Sequence, residues 1–140
     1  MMLLKIYTIT AIVLALKMSA IAVVQGRART SSGLFINPED ARTFGAKEGE
    51  EVEAVQRASR AWRNDLENIP IFLILAWIYV AASLSVGAFE IYCIVFMVAR
   101  VLHTIFYLNA VQPWRTVSFT LGGVAMLAMI VHLFIGVVLA

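Results

Sequence analysis

The chain has 140 residues, 61% of them hydrophobic and 14% charged, with a mean hydropathy of +0.87. Soluble domains run near ~45–50% apolar and ~25% charged, so this composition belongs in a bilayer, and the length suggests one domain. The formal net charge of +2 is too small to imply a nucleic-acid partner, and a single cysteine, Cys93, excludes an intrachain disulfide and a cysteine-based zinc site; no metal is expected.

Lys5 followed by an apolar run has the look of a signal peptide. Lys17 interrupts that run, however, and no small-residue cleavage motif with a soluble domain behind it follows, so a retained first membrane helix is expected. Crossing a hydrocarbon core takes about 20 helical residues, and helices are required because unpaired backbone groups cannot face lipid. The apolar stretches fit four such spans, with helices at about 3–24, 50–84, 89–108 and 115–139 and a charged loop at 25–49. The expected fold is an all-α membrane protein, a single domain over 1–140 built as a four-transmembrane-helix bundle.

The basic residues Arg27, Arg29, Arg42, Lys47, Arg57, Arg60, Arg63 and Arg115 fall on one side of these spans, against Lys5 alone on the other. The positive-inside rule therefore puts both termini outside and the charged loop in the cytoplasm. Within the loop, Asn37 and Pro38 suit an N-cap and a first helical position, and Gly45 and Gly49 allow a bend. The second long helix opens with an apolar stripe of Val52, Val55, Trp62, Leu66 and Ile69. Gln56, Arg60, Arg63 and Glu67 lie within about 60° of one another on a different face. Pro70 should kink this helix near the membrane surface.

Arg100, His103 and Tyr107 share one face of the third span, and Arg115 opens the fourth just after Pro113. Charged groups at membrane depth usually face an interior or a water-filled cavity. With Arg29, Arg60 and Arg63 they give a surplus of guanidinium forks at the cytoplasmic end, suited to a small ligand rich in carboxylates, with Glu67 free for a ligand ammonium. Each residue also has a plainer explanation. Arg60 and Arg63 suit lipid phosphates, and Arg100 suits an ion pair with Asp65 or Glu67. His103 and Tyr107 suit a satisfied core, and Asp40 suits a cap or a partner for Arg115. Cys93 and His132 read as packing, and the pattern leaves the placement of Lys17 open.

Four ordered motifs carry a resemblance: NPEDA at 37–41, RAWRNDLENI at 60–69, ARVLHTIFYL at 99–108 and RTVSFT at 115–120. They resemble the signatures of the membrane-associated proteins in eicosanoid and glutathione metabolism, the MAPEG family. The resemblance implies a homotrimer that binds glutathione as co-substrate in clefts between neighbouring subunits. It places glutathione against Arg29 (reaching from the adjacent subunit), Arg60, Arg63, Asn64, Glu67, His103, Tyr107, Arg115 and Phe119. Arg115, Thr116 and Asp40 are the residues it implies for catalysis. The implied activity is glutathione transfer to lipophilic electrophiles, with peroxidase activity toward hydroperoxides. A glutathione-dependent prostaglandin-type isomerase and a non-catalytic membrane subunit are the alternatives. Thr116 and Phe119 depart from the isomerase pattern, which has serine and tyrosine there. The site would face the cytoplasm of a bacterial inner membrane or endoplasmic reticulum.

Overall fold

The computed structural model describes residues 1–139. Helix α1 spans Met2–Ser32, followed by the short strand β1 (Leu34–Phe35), helix α2 (Pro38–Thr43) and strand β2 (Lys47–Glu48). Three long helices follow, α3 (Glu53–Ala81), α4 (Val86–Leu108) and α5 (Trp114–Leu133), and α5 runs on into a π-helical turn at Phe134–Val138. All four long helices are long and apolar enough to cross a membrane. The protein is an all-α, multi-pass membrane bundle.

Helix α1 does not stop where its apolar run does. It continues through Ser32, so residues 25–32 are helical although the sequence placed them in the loop. Gln25, Arg27, Ala28 and Arg29 are good helix formers, and the single Gly26 among them costs only about 1 kcal/mol, so the helix runs on. The stop comes at Gly33, whose left-handed backbone (φ 63°, ψ 18°) only glycine adopts readily. The chain then folds a compact cap. Strands β1 and β2 pair in parallel, Leu34 opposite Lys47 and Phe35 opposite Glu48. Phe35 is buried and stacks on Phe44 at 5.2 Å between ring centroids. Pro38 opens α2 as expected, but the Asn37 side chain does not cap it; Asn37 Nδ2 donates to Asp40 Oδ2 at 3.0 Å instead.

Helices α3 and α4 touch each other and are flanked by α1 on one side and α5 on the other, while α1 and α5 make no contact among the described residues. Leu14, Ile69, Phe72, Ala76, Tyr79, Phe89, Cys93, Phe96, Ala125 and Met129 pack the centre, with the Phe72 and Phe96 rings stacked at 3.8 Å. At the far end His132 is more than packing: its Nδ1 lies 3.1 Å from the Tyr79 hydroxyl and 3.2 Å from that of Tyr92.

The orientation of α3 corrects the sequence reading. Its buried face is Val55, Ala58, Ala61, Asp65 and Ile69, while Trp62 and Leu66 from the expected stripe are exposed. Small residues face inward because close approach of helices, not hydrophobicity, drives packing where the surroundings are themselves apolar. Pro70 lies inside α3 without ending it.

Candidate functional site

Four helices place the site by a simple rule: polar side chains on the packed faces must find partners in the bundle. Asp65 is fully buried on α3, Arg100 is 1% exposed on α4, and Lys17 reaches them from α1 with 9% of its side chain exposed. Arg100 Nη2 lies 3.2 Å from Asp65 Oδ1 and also donates to Asn64 Oδ1. Lys17 Nζ donates to the other Asp65 oxygen. Of the explanations open for Arg100, the ion pair with Asp65 is present, and Lys17 shares it.

One turn along α4, His103 is buried and its Nδ1 lies 3.0 Å from the Arg115 carbonyl. A carbonyl only accepts, so Nδ1 carries the proton and Nε2 is left as an acceptor. Nε2 has no partner among the described residues, nor do Arg100 Nε and Thr104 Oγ1. The Phe119 ring bridges the two helices, 5.6 Å from the His103 ring and 5.9 Å from the Arg100 guanidinium carbon. The Arg115 guanidinium lies over the Tyr107 ring at 4.9 Å, a cation–π distance. Asn64, His103, Tyr107, Arg115 and Phe119, together with Arg100, thus form one continuous strip across α3, α4 and α5.

Gln112 was not singled out by sequence, yet it touches both Arg115 and Thr116. With its amide oxygen turned to the guanidinium, it accepts from Arg115 Nη2 at 2.6 Å and Nε at 3.1 Å, and its nitrogen donates to Thr116 Oγ1 at 3.1 Å. The opposite orientation would set amide hydrogens against guanidinium hydrogens, so this one is adopted. The only signal in the sequence was its i, i+4 spacing to Thr116.

Other residues sit apart from the strip. Arg29 is bound within its own chain: its Nε donates to Glu51 Oε1 at 3.1 Å, and Nη2 donates to the same oxygen. Asp40 lines a cavity of about 220 Å³ with Arg29, Asn37 and Glu51, and makes no hydrogen bond or ion pair with Arg115 among the described residues. Arg60 is exposed and donates to Glu53 at 2.8 Å; Arg57 shares that carboxylate and reaches the Tyr107 carbonyl at 3.4 Å. Exposed pairs of this kind contribute roughly 0–1 kcal/mol, so they leave Arg60 available. Arg63 and Glu67 are exposed on α3 and have no hydrogen-bonding partner among the described residues.

A bundle of four apolar helices that buries an acid between two cations defines a polytopic membrane protein. The model of the MAPEG family matches residues 7–135, and the chain belongs to that family. It is 36% identical to a prostaglandin E synthase of Homo sapiens over 111 residues, covering 78% of this chain and 73% of that protein. It is 35% identical to the prostaglandin E synthase of Equus caballus over 111 residues, 78% and 72% of the two chains. It is 34% identical to microsomal glutathione S-transferase 1 of Rattus norvegicus over 122 residues, 83% and 79% of the two chains.

Proposed function

We propose that this protein is a membrane-embedded glutathione transferase that also reduces lipid hydroperoxides. The observation that carries the reading is the strip itself: Asn64, His103, Tyr107 and Arg115 are held side by side, and Arg63 and Glu67 stand unpartnered beside it. Glutathione offers carboxylates for the Arg63 guanidinium and an ammonium for Glu67. One relative is named as a glutathione transferase, which supports the co-substrate.

Arg63 and Asn64 bind glutathione carboxylate or carbonyl oxygens, Glu67 its ammonium, and Tyr107 and His103 its peptide backbone. Arg115 lies beside the sulfur and favours the thiolate, the nucleophilic form. Thr116 and Phe119 flank that sulfur, and the acceptor enters from the bilayer along the Phe119 side of α5. With an aryl halide the sulfur forms a carbon–sulfur bond and halide leaves. With a hydroperoxide the sulfur takes the distal oxygen, the alcohol leaves with a proton, and a second glutathione converts the sulfenic acid to disulfide and water. The active unit is a homotrimer within a single-domain chain, each cleft closed by Arg29 and Asp40 of the adjacent subunit, with the clefts opening to the cytoplasm. Exposed Arg63 and Glu67 at the membrane end of α3 favour that closure, since unpaired charges there are expensive against lipid.

Glutathione-dependent isomerisation of a prostaglandin endoperoxide is the second reading, favoured by the named synthases among the relatives. Purified protein incubated with glutathione separates the two. Conjugation of an aryl halide and reduction of a lipid hydroperoxide are expected, together with thiolate absorbance on adding glutathione. Turnover of an endoperoxide alone would select the second reading. No turnover of any kind and no glutathione binding would leave a non-catalytic membrane subunit.

A further inference from the structure

Lys17, Asp65 and Arg100 come from three different helices. Replacing buried ion clusters by apolar side chains of similar volume is often neutral or stabilising, so a buried cluster is weak evidence for a role in stability. What the cluster does hold is Asn64. The single Nη2 of Arg100 is divided between Asp65 Oδ1 at 3.2 Å and Asn64 Oδ1. A guanidinium has only donors, so the Asn64 amide must turn its oxygen inward to it. The Nδ2 hydrogens of Asn64 have no acceptor among the described residues, and the residue is half-buried, on the same helix as exposed Arg63 and Glu67.

We propose that Lys17 and Asp65 are positioning residues that fix Asn64 as a donor-only contact for an oxygen of the bound peptide. The proposal rests on the glutathione reading above. Lys17 occupies Asp65 Oδ2, which leaves only Oδ1 for Arg100. Without Lys17, Asp65 has both oxygens to offer the fork-shaped guanidinium, a geometry that favours a two-pronged pair. Arg100 then turns fully to Asp65 and releases Asn64, whose amide is free to flip. Asn64 in this arrangement recognises a carboxylate or carbonyl and rejects an ammonium, the complement of Glu67. Helix α1, which makes no contact with α5 among the described residues, gains a part in ligand recognition by way of one lysine.

The test is a double-mutant cycle between Lys17 and Asn64 on the full-length protein in membranes or detergent, read as glutathione KM and kcat. Lys17→Met leaves a neutral Asp65–Arg100 pair and should raise KM for glutathione about tenfold, the effect of one hydrogen bond to a charged group, with kcat within about twofold. In the Asn64→Ala background the same change should add less than about twofold, because its route is already cut. Lys17→Arg, which keeps a cation on Asp65 Oδ2, should restore the native KM. Unchanged KM in Lys17→Met, losses that multiply in the double variant, or a fall in kcat alone would each overturn the proposal. If Lys17→Met does not fold, Asn64→Asp decides: it keeps an acceptor for Arg100 but removes the donors, and retained glutathione affinity would overturn the proposal. Native protein that binds no glutathione removes both the functional reading and this one; native binding with an uncoupled cycle removes this one alone.

Discussion

Replacing Arg115 with alanine tests the chemistry most directly. The guanidinium is held from two sides, over the Tyr107 ring at 4.9 Å and on Gln112 Oε1 through Nη2 at 2.6 Å and Nε at 3.1 Å. A thiolate at ~4 Å from such a group gains about 1 kcal/mol under full water screening and about 4 kcal/mol at the effective dielectric of a protein surface. The midpoint corresponds to about two pK units and takes a thiol from about 8.5 to about 6.5. The charged form is the one stabilised, so the pKa falls and activity is lost as pH drops through the lowered value. At pH 7 roughly three quarters of bound glutathione is then thiolate, against about 3% with the pKa near 8.5. Arg115→Ala should slow conjugation about 25-fold at pH 7, move the acid limb of the rate profile up by about two pH units, and nearly match the native rate at pH 9. The measurements are the pH profile with an aryl halide and the thiolate absorbance of the complex. A lower rate with an unmoved limb would mean that Arg115 acts on something other than the thiol.

Glu67→Gln should weaken glutathione binding at least tenfold in equilibrium dialysis while leaving thermal unfolding unchanged, because the exposed carboxylate has no partner of its own among the described residues. Unchanged affinity would remove it from the site. Gln112→Ala should reproduce part of the Arg115→Ala shift in the pH profile, since it frees the guanidinium without removing its charge. Thr116→Val should cost less rate than Arg115→Ala, and the reverse order would make the hydroxyl the main activator.

The membrane helices were legible because a run of about 20 apolar residues has few other uses. The polar strip was legible because arginine, histidine and glutamate are expensive at those depths. What the sequence misplaced was the rotation of α3. Val55 and Ile69 of the expected stripe are buried, but Trp62 and Leu66, which would mark a buried face in water, face outward and leave Ala58, Ala61 and Asp65 to pack. The partners of Lys17 and Arg29 were hidden for a different reason: each depends on an acid 48 or 22 positions away, and no local periodicity encodes such a pairing. Asn37 stands at the N-cap of α2 as the sequence suggested, but its side chain makes no cap bond, its amide nitrogen donating to Asp40 Oδ2 instead.

The extension of α1 through Ser32 bears on how quickly the site can respond. Had residues 25–32 formed a loop, ordering Arg29 at each encounter would draw roughly 1–2 kcal/mol per residue from the binding energy and would proceed on the timescale of loop motion. As part of a continuous rod the residue is carried about 7 Å beyond the apolar run at a fixed height and angle. Its ordering is completed once, when the protein folds. Among the described residues only the Glu51 carboxylate holds it, so under the proposed function ligand capture would wait on exchange of one half-buried ion pair and not on the folding of a tether.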